Sequence, residues 1–171
     1  MQLKSNITFV KGLYLKSLVV YYTRTGNARF VAETVAAEIG ADVEEVIDLK
    51  KRTGALGFLS GGSDARRGKE TKIAPTKKFL SEYDLVIVGT PVWAGRPVPA
   101  ILTYLKKHDF ADKKVAVFFT QGGKKPQAID ETKALIPSAD CIGEITLINA
   151  LENKAESEKQ IVDWCKTLIA N

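Results

Sequence analysis

Hydrophobic and polar positions change their period several times along the chain. Residues 17–22 form an unbroken run, Ser-Leu-Val-Val-Tyr-Tyr, rich in β-branched and aromatic side chains. A strand covered on both faces, as at the centre of a parallel sheet, has this character. From Asn27 to Ile39 the apolar positions Ala28, Val31, Ala32, Val35, Ala36 and Ile39 recur at helical spacing, and Gly40 stands where such a helix would stop. Residues 42–49 are more polar and predict a strand near an edge. Residues 85–89, Leu-Val-Ile-Val-Gly, are the clearest strand. Pro99 opens a helix that runs to about residue 106. Residues 115–120 predict another central strand, a helix ends near Ile136, and residues 142–148 predict the last strand. The closing helix, residues 153–170, carries Ile161, Trp164, Cys165 and Leu168 on its inner face.

Between residues 50 and 78 the pattern breaks down. Gly54, Gly57, Gly61, Gly62, Gly68 and Pro75 fall there, and only a short helix over residues 63–67 is predicted. A connection of this length is usually functional or mobile. Five strands alternating with helices imply an α/β protein with a doubly wound parallel sheet, helices on both faces, a three-layer sandwich. Residues 17–171 form one domain, and residues 1–16 are an N-terminal extension compatible with an added edge strand, a packed arm or disorder.

The 171 residues, 45% hydrophobic and 26% charged, suit a single globular domain. No apolar run spans a bilayer, and Lys11 and Lys16 interrupt the apolar stretch of residues 7–22, which also lacks a small-residue cleavage site. The expected compartment is therefore the cytoplasm. Cys141 and Cys165 are expected as reduced thiols, at least one of them buried. No Cys/His cluster exists, so no metal site is expected, and the single histidine, His108, reads as a solvent-exposed loop residue. The net charge of +5 is mild, and without interleaved aromatic and basic residues it gives no reason to expect a nucleic-acid partner.

In open α/β sheets ligands bind outside the carboxyl ends of the strands, and three loops leave such ends here. The first is Thr23-Arg24-Thr25-Gly26-Asn27-Ala28, which leads into a helix N-terminus. Free backbone N–H groups and the positive end of the helix dipole make that position suited to a phosphate. Thr23 and Thr25 add hydroxyls, Gly26 permits close approach, and Asn27 donates an amide or caps the helix; an ordinary capped turn fits equally well. The loop is neither a Walker A motif nor Gly-x-Gly-x-x-Gly, which argues against a nucleoside triphosphate or a dinucleotide. The second loop is Thr90-Pro91-Val92-Trp93-Ala94-Gly95-Arg96-Pro97. Its tryptophan needs either the core or a flat partner. The third is Thr120-Gln121-Gly122-Gly123-Lys124-Lys125, whose paired glycines let backbone N–H groups approach a ring edge, or make a plain turn.

Together the three segments Tyr-Tyr-Thr-Arg-Thr-Gly-Asn-Ala, Val-Gly-Thr-Pro-Val-Trp-Ala-Gly and Phe-Phe-Thr-Gln-Gly-Gly resemble the flavodoxin family, from about residue 17 to the C-terminus. The resemblance implies a flavodoxin-like five-stranded parallel sheet of order 2-1-3-4-5 and bound FMN. It implies that Thr23, Arg24, Thr25, Gly26, Asn27 and Ala28 make the phosphate loop. It implies that Thr90, Pro91, Val92, Trp93, Ala94 and Gly95 wrap the flavin ring, and that Thr120, Gln121, Gly122 and Gly123 line its other edge. Two features depart from the pattern. Ala28 stands where the family's loop often ends in Thr, and the third loop lacks the Tyr that covers the outer ring face in dedicated carriers. The chain is also basic, where such carriers are commonly acidic. Lys124, Lys125 and Arg96 are therefore expected to favour the fully reduced flavin anion, and one ring face is expected to be open.

The implied function is electron transfer through FMN, with a redox partner protein. The alternative is an NAD(P)H-dependent FMN reductase acting on quinones or similar acceptors. No catalytic residue of the protein's own is expected. Either a monomer or a homodimer is compatible with the sequence. The basic stretch of residues 50–78 fits a nucleotide phosphate, an acidic partner or a solvated surface. A signalling receiver domain of like topology would need acidic residues after the first strand, and Thr23-Arg24-Thr25 supplies none.

Overall fold

A computed structural model describes residues 7–10, 13–123 and 128–170 of the chain. The remainder of the N-terminal extension, residues 1–6 and 11–12, lies outside them, as do Lys124 and Lys125 of the third loop. In chain order the elements are β1 (Ile7–Val10), β2 (Leu13–Tyr21), α1 (Asn27–Ile39), β3 (Asp42–Glu45), α2 (Gly54–Arg66), β4 (Leu85–Trp93), β5 (Arg96–Pro97), α3 (Pro99–Lys107), β6 (Lys114–Gln121), α4 (Ala128–Ala134), β7 (Asp140–Ile148) and α5 (Lys154–Ala170).

The parallel strands lie side by side in the order β3-β2-β4-β6-β7. Numbered along the chain, that is 2-1-3-4-5, the doubly wound order that the resemblance implies. β1 pairs antiparallel with the first half of β2, Ile7 opposite Lys16 and Val10 opposite Leu13. The described part of the extension is thus an added strand.

Side chains alternate across the sheet as the pleat requires. Leu18, Val20, Val86, Val88, Val115 and Val117 pack on one face with Ile101, Tyr104 and Leu105 of α3. Val19, Tyr21, Leu85, Ile87, Ala116 and Phe118 pack on the other, beneath α1 and the Ile161, Trp164, Cys165 and Leu168 stripe of α5. Burial of each large apolar side chain stabilises the fold by about 1.5–3 kcal/mol, so the two cores hold the strand ends rigidly in place. Burial also pushes the Cys165 thiol up to about 12, while Cys141 is exposed; neither forms a disulfide.

Gly89 in β4 lies beside Phe118 in β6. The Phe118 ring covers the glycine, and a Cβ there would stand 1.9 Å from its Cζ. Gly89→Ala must displace a fully buried ring in the middle of the sheet. It is expected to lower the unfolding free energy by about 1–3 kcal/mol, measured by urea denaturation. A loss below about 0.5 kcal/mol would show that the ring moves aside freely.

The structure corrects several expectations. α2 spans Gly54–Arg66 rather than the short helix over residues 63–67. Glycine costs a helix about 1 kcal/mol per residue, but Gly57, Gly61 and Ala65 fall on its buried face, one turn apart. A Cβ at Gly57 would lie 2.4 Å from the Arg52 carbonyl carbon, and one at Gly61 would lie 2.8 Å from Trp93 Cζ3. Close packing selects glycine there, so tertiary contact overrides local propensity. β3 stops at Glu45, and beyond it Asp48 forms an isolated bridge to Ile73. β4 runs on to Trp93, so half of the second loop is strand. His108 is half-buried at the end of α3, its ring stacked on Tyr104 at 4.0 Å and its Nδ1 2.8 Å from the Tyr104 carbonyl oxygen. No helix among the described residues is long and apolar enough to cross a membrane.

Candidate functional site

The carboxyl ends of β2, β4 and β6 converge, and a cavity of about 530 Å³ opens there. Cavities that hold small molecules are usually about 300–1,000 Å³. All three loops line it: Arg24, Thr25 and Asn27 from the first, Pro91, Val92, Trp93 and Ala94 from the second, and Thr120, Gln121 and Gly122 from the third.

The first loop is held by its own side chains. The Gly26 N–H donates to Thr23 Oγ1 at 3.0 Å, and Asn27 Nδ2 donates to Thr25 Oγ1 at 3.2 Å. Asn27 Oδ1 accepts the N–H of Leu151 at 3.0 Å, which ties the start of α1 to the turn after β7. Gly26 is left-handed, with φ +90°, and its carbonyl accepts the first helical bond, from the Phe30 N–H at 3.0 Å. The N–H groups of Asn27, Ala28 and Arg29 therefore have no partner inside the helix. No acidic residue occupies the first turn of α1, so the positive end of the dipole is not neutralised. Ala28 buries its methyl in the core and offers the loop only its N–H.

The second loop is a hairpin. β4 turns through Ala94 (φ 50°) and Gly95 (φ 81°) and returns as β5, with Trp93 opposite Arg96. Two central residues of positive φ match the twist of paired strands. Thr90 is fully buried and clamps the hairpin base: its hydroxyl accepts the Val98 N–H at 3.2 Å and donates to the Pro91 carbonyl at 2.9 Å. Thr90 and Gly95 shape the loop rather than line the cavity. Trp93 lines it and is only 8% exposed. Tyr22 meets its ring edge-on at 5.7 Å, Gly61 packs against its edge, and Arg24 Cζ stands 4.3 Å from its centroid. The same guanidinium carbon lies 4.9 Å from the Phe58 centroid.

In the third loop, Thr120 and Gln121 complete β6, and Gln121 accepts the N–H of Asn149 at 3.0 Å. A Cβ at Gly122 would lie 3.4 Å from Asn149 Oδ1, whereas one at Gly123 would meet nothing within 4 Å among the described residues. Three lining residues lie outside the predicted set: Phe58 and Gly62 of α2, and Asn149 just past β7. The Gly57-Phe58-Leu59-Ser60-Gly61-Gly62 run is the signal that could have found the first two, but in the sequence its glycines read equally well as helix breakers. Asn149 adopts φ 48°, a conformation that Asn tolerates better than most residues.

Electrostatics set the position of α2. The buried Arg52 donates from Nε to Asp48 at 2.6 Å and from Nη1 to Asp64 at 2.9 Å, and Lys50 donates to Asp64 at 2.7 Å. The Lys50 hydrogen bond, with that of Arg52, holds the Asp64 carboxyl below the usual carboxylate range against its partial burial. A carboxyl held below its unfolded value stabilises above that value and loses the effect as pH falls through the folded one. Hydrogen exchange of the α2 amides, corrected for intrinsic rates, is therefore expected to accelerate below about pH 4, before α3 opens. Equal protection of both helices down to pH 3 would contradict this.

No carboxylate lines the cavity, and Arg24 is the only charged side chain that does, among the described residues. Arg96 does not act there: it pairs with Glu131 at 3.2 Å and lines a smaller cavity of about 250 Å³ beside α3 and α4. In the basic stretch, Lys50, Arg52 and Lys78 are ion-paired, while Arg66, Arg67, Lys69 and Lys72 are exposed.

A doubly wound parallel sheet with an uncapped helix N-terminus and an aromatic-lined cavity at its switch point is the arrangement of the doubly wound families that take nucleotide-type ligands. The chain matches the model of one such family, flavodoxin, over residues 16–168. A Bacteroides uniformis protein superposes with a TM-score of 0.74 at 26% identity, covering 88% of this chain and 97% of that one. A flavoprotein from Lactobacillus acidophilus, solved in complex with FMN, does so at 0.67 and 24%, covering 82% and 99%. A Fusobacterium nucleatum flavodoxin bound to flavin mononucleotide gives 0.55 and 12%, covering 89% and 95%. Among curated proteins none matches. The chain belongs to the flavodoxin family.

Proposed function

We propose that this chain binds FMN in the cavity built by its three loops and carries electrons through it. The observation that carries the reading is the joining, in one cavity, of the open N-terminal turn of α1 and the Trp93 ring. The first suits a phosphate dianion and the second a flat apolar ring system. The cavity volume and the left-handed Gly26, which brings backbone N–H groups forward, fit the group. The Lactobacillus and Fusobacterium proteins, both FMN complexes, support the same ligand. When bound, FMN supplies one-electron and two-electron chemistry. The protein's residues hold and tune it: Thr25, Asn27 and the α1 amides take the phosphate end, Trp93 the ring, and Gln121 and Gly122 the ring edge. No His, Cys, Asp or Glu lines the cavity among the described residues, so the reading assigns no acid–base step to the chain. The free thiols are consistent with a cytoplasmic carrier that serves a redox partner protein.

A second reading, an NAD(P)H-dependent FMN reductase, rests on the aromatic-free third loop. Anaerobic addition of NADPH, then NADH, to the FMN-loaded protein separates the two. A carrier stays oxidised until dithionite is added. Rapid bleaching by either nucleotide would overturn the carrier reading in favour of the reductase.

Arg24 sets the sign of the electrostatic tuning. At an effective dielectric near 20, one charge roughly 8 Å away is worth about 2 kcal/mol, of which screening leaves about half. That corresponds to about 40 mV for a one-electron step. Arg24→Gln is expected to make full reduction of the bound flavin harder by about 40 mV, with Arg67→Gln unchanged, measured by potentiometric titration. An unchanged or raised potential in Arg24→Gln would remove Arg24 from this role.

A further inference from the structure

We propose that α2 supplies the outer wall of the flavin slot through Phe58, in place of an aromatic residue in the third loop. The inference rests on the FMN reading and names a specificity-determining residue within it.

Phe58 is 61% exposed on the second turn of α2, yet its ring lines the same cavity as Trp93. Leu59, its neighbour, is 67% exposed and does not line the cavity. Phe58 is therefore directed at the site, and the exposure of Leu59 is ordinary surface. The Arg24 guanidinium carbon lies 4.3 Å from the Trp93 centroid and 4.9 Å from the Phe58 centroid. One cation therefore touches both rings, and the Arg24 side chain fills the space that Phe58 and Trp93 border. Stacking on an aromatic face is a contact that cations and flat rings share, so in this proposal the flavin ring takes the place of the guanidinium.

The wall is fixed from behind. Gly57 packs at the contact limit on the Arg52 backbone, and Gly61 packs on the edge of Trp93 itself. Arg52 and Lys50 then hold Asp64 on the same helix. The helix bearing Phe58 is thus packed directly on the edge of the tryptophan. Among the described residues nothing lies within 4 Å of a Cβ placed at Gly123 in the third loop. In this proposal Phe58 covers the ring face that the third loop has no aromatic residue to cover.

A consequence bears on reaction class. Hydride transfer requires the nicotinamide to stack on the flavin at close range, and Phe58 stands where it would stack. Electron transfer through the ring edge needs no such access. Phe58 selects the carrier over the reductase.

The test uses the full chain as wild type, Phe58→Ala, Phe58→Leu, Phe58→Tyr and Leu59→Ala. Each is titrated with FMN while flavin fluorescence and visible circular dichroism are followed, with far-ultraviolet circular dichroism as a check on folding. Phe58→Ala and Phe58→Leu are expected to bind FMN about 5- to 10-fold more weakly and to regain fluorescence of the bound flavin. Phe58→Tyr and Leu59→Ala are expected to match wild type. Wild-type affinity and quenching in both Phe58→Ala and Phe58→Leu would overturn the proposal and leave FMN binding intact. Failure of the wild type to bind FMN would instead remove the reading on which the proposal rests.

Discussion

Trp93→Ala is expected to lower the unfolding free energy by about 3–5 kcal/mol, the largest effect of any single change at this site. The ring is the joint of three elements: Tyr22 after β2 meets it edge-on, Gly61 of α2 packs on its edge, and Arg24 of the first loop lies over its face. With 8% of its surface exposed, truncation leaves a cavity that Gly61 cannot fill, because it has no side chain to move in. Ring stacking with a bound flavin is lost in addition, worth about 0.5–1.5 kcal/mol. Chemical denaturation without FMN reads the first effect, and FMN titration under stabilising conditions reads the second. Trp93→Phe should recover more than half of the stability. A loss below about 1 kcal/mol in Trp93→Ala would mean that α2 and the hairpin are held elsewhere.

The second large effect is expected at Gly26. A β-branched residue at φ +90° is strained by about 1–3 kcal/mol, and Gly26 adopts that φ. Space is not the obstacle, because a Cβ would meet only the flexible end of Leu151 at 3.2 Å. Gly26→Val should therefore relax by moving the loop, and with it the N–H groups of Asn27 and Ala28. FMN affinity is expected to fall about 10- to 100-fold, in line with the strain. Riboflavin, which has the same ring and no phosphate, should lose less than about threefold. Parallel calorimetric titrations give the comparison. Equal losses for the two ligands would show that this loop does not hold the phosphate.

Much of the fold could be read from the chain because its signals are local. Central strands such as residues 85–89 are buried on both faces and need unbroken apolar runs, and α1 and α5 each show one periodic stripe. The three loops were legible for a related reason: strand ends and helix starts bracket them in the sequence. The unread parts depend on distant partners. Gly57 and Gly61 look like helix breakers until Arg52 and Trp93 are placed against them. Arg96 looks like a cavity charge until Glu131, on another helix, is found beside it. Ala28 looks like a lost hydroxyl in a ligand loop, whereas its side chain belongs to the core. Asn149 gives no sign of the cavity until β7 is set beside β6.

These cases share a consequence for function. Phe58 and Arg24, which both line the cavity, meet through space from segments more than thirty residues apart. Loop motifs alone assign no residue to the outer ring face, and the proposal assigns it to Phe58.

FMN binding in the three-loop cavity is tested by titration of the full chain with FMN, with riboflavin in parallel, followed by quenching of flavin fluorescence. Saturation at one FMN per chain is expected, with riboflavin at least about tenfold weaker because only FMN engages the open turn of α1. Absence of FMN binding, or riboflavin binding as tightly as FMN, would contradict it.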